Sequence, residues 1–314
     1  MKIGIVGTGI VGSTAAFALM LQGIASELVL IDKNRDKAEG EALDLVHSMS
    51  FVHPMEIYAG DYSDLKSAKI VIISAGPSIA KGETRLDLAA KNFKVFQEII
   101  PQIVKYNGDC ILLVVTNPVD VLSYAAMKLS GFPKNRVIGS GTVLDSSRFR
   151  SALAAGLHVD ARNIHGYVIG EHGDSQVAAW SLTNIMGIRF DEFCEKYMEN
   201  CNPHIKQEIE SEVRNSAYKV IEKKGATSFA VALAIAKIVK SILRDENSIL
   251  TVSTYIESLD GIEDVYMSLP CVVNKNGIEK VLMPPLSAAE KQALKKSAET
   301  IRRYIYEILG THVQ

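Results

Sequence analysis

KIGIVGTGIVGSTAAFALML, residues 2–21, puts an apolar run, a glycine-rich turn and a helical pattern in immediate succession. Residues 2–6 read as a short strand and 13–22 as a helix. Between them Gly7, Gly9 and Gly12, with Ile10 and Val11, fit G-x-G-x-x-G in the context where that motif has meaning. Gly7 permits the tight turn, Gly9 lets a pyrophosphate approach the backbone, and Gly12 lets helix and strand pack closely. The helix N-terminus then offers free N–H groups and a partial positive charge to phosphates. Asp32 follows 20 residues after Gly12, at the end of a second strand candidate, ELVLID (27–32). A carboxylate there accepts hydrogen bonds from an adenosine ribose diol and repels a 2′-phosphate, which selects NAD over NADP. A lone glycine motif is weak; strand, helix and Asp32 in register make it a dinucleotide site.

The pattern continues outward. Further strand candidates are KIVIISAG (69–76), CILLVVTN (110–117) and RVIGSG (136–141), with helix candidates at 12–23, 36–48, 86–106 and 119–130. Runs apolar on consecutive positions suit strands covered on both faces. Alternation of this kind predicts an α/β fold, a doubly wound parallel sheet of the Rossmann type over residues 1–143. Pro101 is expected to kink or split its helix. From residue 144 the order changes. A helix near Leu144, a short strand HGYVIG (165–170), helices near 203–224 and 226–244, and strands at 249–257 and 265–273 come in turn. NKNGIEK (274–280) reads as a hairpin turn, and a last amphipathic helix covers 286–309. Residues 144–314 are therefore expected to form an α+β substrate domain.

Composition narrows the function. With 34 Lys and Arg against 36 Asp and Glu, the formal net charge is −2, without the basic excess of a nucleic-acid binder. Ile3 to Ser26 carries no charge, but glycines at 4, 7, 9, 12 and 23 break it into unlike parts, so it is not read as a membrane span. Cys110, Cys194, Cys201 and Cys271 show no CxxC spacing and no histidine cluster. They read as reduced thiols of a cytoplasmic protein, with no metal site.

Four further places carry chemistry. AGPSIAKGETRLDL (75–88) leaves a buried strand for a long helix, and a loop there can cover a ligand. Its Arg85 can reach a carbonyl oxygen or stand as a surface arginine. Asn117, at the carboxyl end of the fourth strand, offers a donor and an acceptor, or simply caps the turn. Asp145 and Arg148 are three apart on one helix face, which alone makes a surface ion pair. His172, in Gly170-Glu171-His172-Gly173-Asp174, changes that reading. An Asp–His pair fixes the tautomer and raises the imidazole pKa, while a neighbouring arginine can grip a carboxylate.

GTGIVG with Asp32, AGPSIAKGETRLDL, VTNPVDV, GSGTVLDSSRFR, IGEHGDS and KKGATS stand in an order and spacing that resemble the L-lactate dehydrogenase family, within the lactate/malate dehydrogenase superfamily. The resemblance runs along essentially the whole chain. It implies that His172 is the general acid/base, Asp145 its orienting partner and Arg148 the grip on the substrate carboxylate. Arg85 would polarise the carbonyl from a closing lid, and Asn117 would bind the same oxygen or the nicotinamide. Thr227 would line the pocket. Ala75 and Gly76 join Gly7, Gly9, Ile10, Val11, Gly12, Asp32 and Asn117 as implied cofactor contacts.

The same resemblance sets the substrate question. At Ile79 the family normally reads glutamine for pyruvate, and malate enzymes read arginine; this chain has neither, and Ala80 beside it is small. The expected reaction is NADH-dependent reduction of pyruvate to L-lactate. Larger apolar 2-hydroxy acids of the 2-hydroxyisocaproate kind are the alternative, with malate behind them. Arg150 and His165 match positions that bind fructose 1,6-bisphosphate between subunits in allosteric bacterial relatives, or else a surface arginine and a buried histidine. The resemblance also implies a homotetramer. An NAD-binding regulator without chemistry would need an effector surface that this near-neutral chain lacks, and would leave Asp145, Arg148 and His172 unexplained.

Overall fold

The computed structural model describes residues 1–79, 82–198 and 202–310. The first half runs β1 (Lys2–Val6), α1 (Ile10–Leu21), β2 (Glu27–Ile31), α2 (Arg35–His47), β3 (Glu56–Ala59), β4 (Ile70–Ile73), α3 (Arg85–Tyr106), β5 (Ile111–Val114), α4 (Val119–Ser130) and β6 (Val137–Gly139). These strands lie parallel in the spatial order β3-β2-β1-β4-β5-β6. The chain thus winds both ways from β1, as a doubly wound nucleotide sheet does. Side-chain alternation covers both faces. Ile3, Ile5, Leu28, Leu30, Ile70 and Ile72 pack toward α1 and α2. Val6, Val29, Val71, Ile73, Leu112 and Val114 pack toward α3 and α4. Truncating a fully buried member such as Ile72 to alanine would cost about 2–5 kcal/mol.

The second half runs α5 (Val143–Leu157), β7 (Ile164–His165), β8 (Val168–Ile169), β9 (Val177–Ala178), β10 (Asn184–Ile185), β11 (Ile188–Arg189), α6 (Phe190–Tyr197), α7 (Ile205–Lys224), α8 (Phe229–Leu243), β12 (Ser248–Leu259), β13 (Ile262–Asn274), β14 (Gly277–Val281) and α9 (Ala288–Leu309). The long strands β12, β13 and β14 do not form a sheet of their own. β12 adds antiparallel to β6 at Ser253↔Gly139, giving one nine-stranded mixed sheet among the described residues. α8 seals α1 with Ala232, Ile235, Ala236 and Val239, while α9 covers the opposite face with Leu294, Ile301 and Ile305. A third core gathers Phe149, Leu153, Ile164, Val168, Phe190 and Ile209 around α5, α6 and α7.

Several expectations need amendment. Pro101 does not split α3, which runs unbroken for 22 residues. Proline removes one backbone donor, but Ile99, Ile100 and Ile103 stay buried on both sides of it. HGYVIG is two strands in different sheets: β7 pairs with β10, and β8 with β9. β3 and α6 carried too little apolar pattern to be read. The uncharged segment 3–26 is sheet centre plus a covered helix, and no described helix is long and apolar enough to cross a membrane. Cys110, Cys194 and Cys271 are buried, and burial pushes the Cys110 thiol up to about 12. Cys201 and Ala80 lie outside the described residues.

Candidate active site

The glycine turn joins β1 to α1 at the carboxyl edge of the sheet. Gly7 has φ +99°, and a Cβ there would stand 2.5 Å from the Ala75 nitrogen at the end of the neighbouring strand β4. A Cβ on Gly12 would stand 1.9 Å from the Gly7 oxygen, so only glycine lets the helix begin against the strand. Gly9 differs: a Cβ there meets nothing within 4 Å. The space above it is open to a ligand, and Gly9 caps α1 with no side-chain bond and no acid in the first turn. The first amides of the helix therefore face that space unneutralised.

Asp32 stands just beyond β2. Its Oδ2 accepts from the Thr8 amide at 2.7 Å and the Thr8 hydroxyl at 3.1 Å, and its Oδ1 from the Asn34 amide at 3.0 Å. Burial works against the charge, yet the Asn34 and Thr8 donors outweigh it and hold the carboxyl below its ordinary range. A fixed, charged carboxylate beside an open glycine turn fits NAD. Gly76 follows Ala75 at φ +144°, where a Cβ would stand 2.4 Å from the Asn92 side-chain oxygen. Asn117 is exposed where β5 ends, its carbonyl held by the Asn92 side-chain nitrogen at 2.7 Å. The Asn117–Pro118 peptide is cis.

Across the edge, α5 and the turn after β8 bring three side chains together. His172 Nδ1 meets Asp145 Oδ2 at 2.5 Å, and Arg148 Nη1 donates to Asp145 Oδ1 at 2.9 Å. Asp145 is buried on the first turn of α5. Burial opposes its charge, but His172 and Arg148 together hold its carboxyl low. The imidazole moves the other way. Burial would depress it, and Asp145 more than compensates, raising it above the usual histidine value. With Nδ1 engaged, Nε2 is the ring atom left to face a substrate.

Arg85 opens α3 behind a Thr84–Asp87 capping box. Its hydrogen bonds and ion pairs do not go to the Asp145–His172 pair. Its guanidinium lies 3.3 Å from Glu171 Oε1, 3.2 Å from Asp174 Oδ1 and 3.0 Å from the Tyr218 hydroxyl. The histidine turn thus brings its own acids to this arginine. Ile79 is 46% exposed. Thr227 is half-buried between α7 and α8. Arg150 is half-buried without an acidic partner among the described residues, and burial lowers its pKa. His165 is exposed on β7, an edge strand, the reverse of a buried histidine.

Sequence reasoning missed Asp120, Tyr218 and Ser253. Asp120 sits in VTNPVDV as an acid in the first turn of a helix, indistinguishable by pattern from a dipole-neutralising surface carboxylate. Tyr218 has only its place on a polar helix, α7, to announce it. Among the described residues, no group of three or more His, Cys, Asp or Glu is placed to hold a metal ion.

A dinucleotide sheet that faces an acid–base pair with an arginine beside it defines an NAD-dependent dehydrogenase. Residues 1–139 match the family model described as lactate/malate dehydrogenase, NAD binding domain. Residues 142–311 match that for the lactate/malate dehydrogenase alpha/beta C-terminal domain. L-lactate dehydrogenase 1 of Clostridium acetobutylicum is 54% identical over 98% of both chains. L-lactate dehydrogenase of Acetivibrio thermocellus is 55% identical over 97% of this chain and 96% of that one. The crystal structure of minor L-lactate dehydrogenase from Enterococcus mundtii superposes with a TM-score of 0.94 at 39% identity, covering 98% of each chain. The chain belongs to the lactate/malate dehydrogenase family, among its L-lactate dehydrogenases. It is an oxidoreductase, and NAD is its cofactor.

Proposed function

We propose that the enzyme interconverts pyruvate and L-lactate, with His172 exchanging the proton. The observation that carries this reading is the continuous chain Arg148–Asp145–His172 at 2.9 and 2.5 Å, two of its members on the helix that follows β6 of the dinucleotide sheet. Gly7, Gly9, Ile10, Val11 and Gly12 would hold NADH, with Asp32 on its ribose and Ala75, Gly76 and Asn117 beside it, and the bound cofactor would supply the hydride for the ketone carbon. His172, protonated on both nitrogens, gives the Nε2 proton to the ketone oxygen and retains its Nδ1 proton, which it donates in a hydrogen bond to Asp145. Asp145 holds the ring and favours its charged form. The guanidinium nitrogens of Arg148 not used by Asp145 pair with the substrate carboxylate and so orient the ketone.

Charge develops on the ketone oxygen in the transition state. Arg85 serves it after leaving Glu171, Asp174 and Tyr218, as the loop from Ala75 closes and excludes water. Thr227 and Ile79 line the side-chain end of the pocket. The buried Cys110, Cys194 and Cys271 suit a reducing cytoplasm. The division at residue 143 gives the cofactor side to the first domain and His172 to the second. The test is His172→Asn, which should lower kcat by about 10²–10⁴-fold while NADH binding stays intact. Full turnover in that variant removes the mechanism.

Arg150 and His165 are proposed to bind fructose 1,6-bisphosphate between the subunits of a homotetramer. A half-buried guanidinium without an acidic partner among the described residues and an exposed imidazole on β7 support this, since a doubly phosphorylated ligand requires such cations.

A further inference from the structure

Asp120, the second residue of α4, is 3% exposed, and no lysine or arginine ion-pairs with it among the described residues. Its Oδ2 accepts the main-chain N–H of His172 at 2.8 Å, and its Oδ1 accepts the Ser253 hydroxyl at 2.6 Å. A buried carboxylate with neutral donors only is costly to keep. Burial pushes its carboxyl up to about 7, even with Ser253 and the His172 amide opposing the shift. An apolar residue would fill the same volume without that cost, so the group calls for a role.

The turn that carries the imidazole indicates one. Gly170 exchanges both main-chain bonds with Ser268, at 2.8 and 2.9 Å. The Glu171 amide donates to the Ser297 hydroxyl at 2.8 Å, and the Glu171 carboxylate takes the Ser175 amide at 3.0 Å. Among the described residues the His172 amide has Asp120 alone as acceptor. Asp145 fixes the ring from α5, whereas Asp120 fixes the main chain from α4, three residues after Asn117 at the cofactor edge. Two anchors on different elements leave the imidazole little freedom to drift from the nicotinamide side.

We propose that Asp120 is a positioning residue for the reaction: by accepting the His172 amide it ties the acid–base turn to the segment that carries Asn117. This rests on the reading of His172 as the proton donor. Placement at the level of an ångström governs such transfers. The carboxylate also faces the imidazolium, whose other charged neighbours are Asp145 and Arg148. Arg85, Glu171 and Tyr304 line the same small cavity as Asp120 and His172.

The experiment compares Asp120→Ala with Asp120→Asn in the full-length enzyme, assayed at pH 6 with pyruvate and NADH. The alanine leaves the His172 amide without its acceptor, and kcat should fall at least about tenfold. NADH affinity, followed by its fluorescence, should stay within about twofold, because Asp120 touches none of the nucleotide residues. Asparagine keeps an acceptor for the amide and a donor for Ser253, so it should recover most of the lost kcat. In both variants the alkaline limb of pyruvate reduction should move to lower pH, since a charge that supports the imidazolium is gone. Wild-type kcat and an unmoved limb in the alanine variant overturn the proposal. So does an asparagine variant that loses as much as alanine. If the alanine variant does not fold, Ser253→Ala releases the other carboxylate oxygen and should lower kcat several-fold; an unchanged kcat there also overturns it. Failure of the parent reading shows separately, as full turnover in His172→Asn.

Discussion

The Nδ1 of His172 stands 2.5 Å from Oδ2 of Asp145, although 27 residues of chain separate them. That contact raises the imidazole above the ordinary histidine value while His172 and Arg148 hold the Asp145 carboxyl low against its burial. On the proposed mechanism, pyruvate reduction consumes the proton on the charged His172 ring. It therefore proceeds below the His172 pKa and is lost as pH rises through it; lactate oxidation does the reverse. Asp145→Asn removes the charge and should lower both limbs to more acid pH. The rate of pyruvate reduction at neutral pH should drop by about 10²–10⁴-fold. An unshifted pH–rate profile in that variant would show that Asp145 does not set the proton affinity of His172.

Asp32 is proposed to control the choice of nucleotide. Its carboxyl is held charged through the neutral range by the Thr8 and Asn34 donors. A 2′-phosphate about 5 Å away would meet roughly 3 kcal/mol of repulsion per unit charge at an effective dielectric of ~20. NADPH should thus be poorer than NADH by about 10²-fold or more in kcat/KM. Asp32→Ser should narrow that ratio at least about tenfold. Equal efficiency with both cofactors in the wild type would contradict the assignment.

Ile79 sets the polarity of the pocket on the lid reading. It offers neither charge nor hydrogen bond, so the second carboxylate of oxaloacetate would be desolvated without a partner, at a cost of several kcal/mol. A 2-oxo-4-methylpentanoate side chain can gain ~0.8 kcal/mol per buried methylene. The measurement is kcat/KM for pyruvate, oxaloacetate and 2-oxo-4-methylpentanoate, in the wild type and in Ile79→Arg. Oxaloacetate should be the poorest wild-type substrate and should gain about tenfold or more on pyruvate in the arginine variant. Wild-type preference for oxaloacetate, or no gain in the variant, would place Ile79 away from the substrate.

Arg150 has no acidic partner among the described residues, and burial lowers its pKa. A bisphosphate at this position would supply the missing counter-charge, and its binding should raise pyruvate affinity about 5–150-fold, the range of ordinary allosteric coupling. Arg150→Gln should shrink that response. Pyruvate saturation and sedimentation with and without fructose 1,6-bisphosphate decide it. If the wild type changes neither substrate affinity nor oligomeric state, Arg150 and His165 are structural.

Much of the first half is legible in the chain itself. The spans 2–6 and 119–130 coincide with β1 and α4, and 86–106 misses only the first residue of α3. These elements are written locally, by apolar runs buried on both faces and by breaks where the chain turns. The glycine turn is equally local: Gly7 needs a positive φ, Gly12 needs close approach, and both demands fall within a few residues. β3 escaped notice because an edge strand is only half covered, so EIYA carries little of the apolar signal that marks β1 or β4.

The chain by itself therefore determined the dinucleotide turn, the acid at Asp32, and the residue types at 145, 148 and 172. Tertiary structure decided who meets whom. It joined β12 to β6, so that the parallel sheet of the first half runs on into the antiparallel strands of the second. It paired Arg85 with Glu171, Asp174 and Tyr218, residues 86, 89 and 133 positions away. It also placed Asp120 under the His172 amide, 52 residues distant. The reason is physical. Periodicity and turn chemistry act over a few residues, and a sequence records them directly. A hydrogen bond between distant segments forms only after packed faces have set both backbones, so its partners are chosen by the whole core.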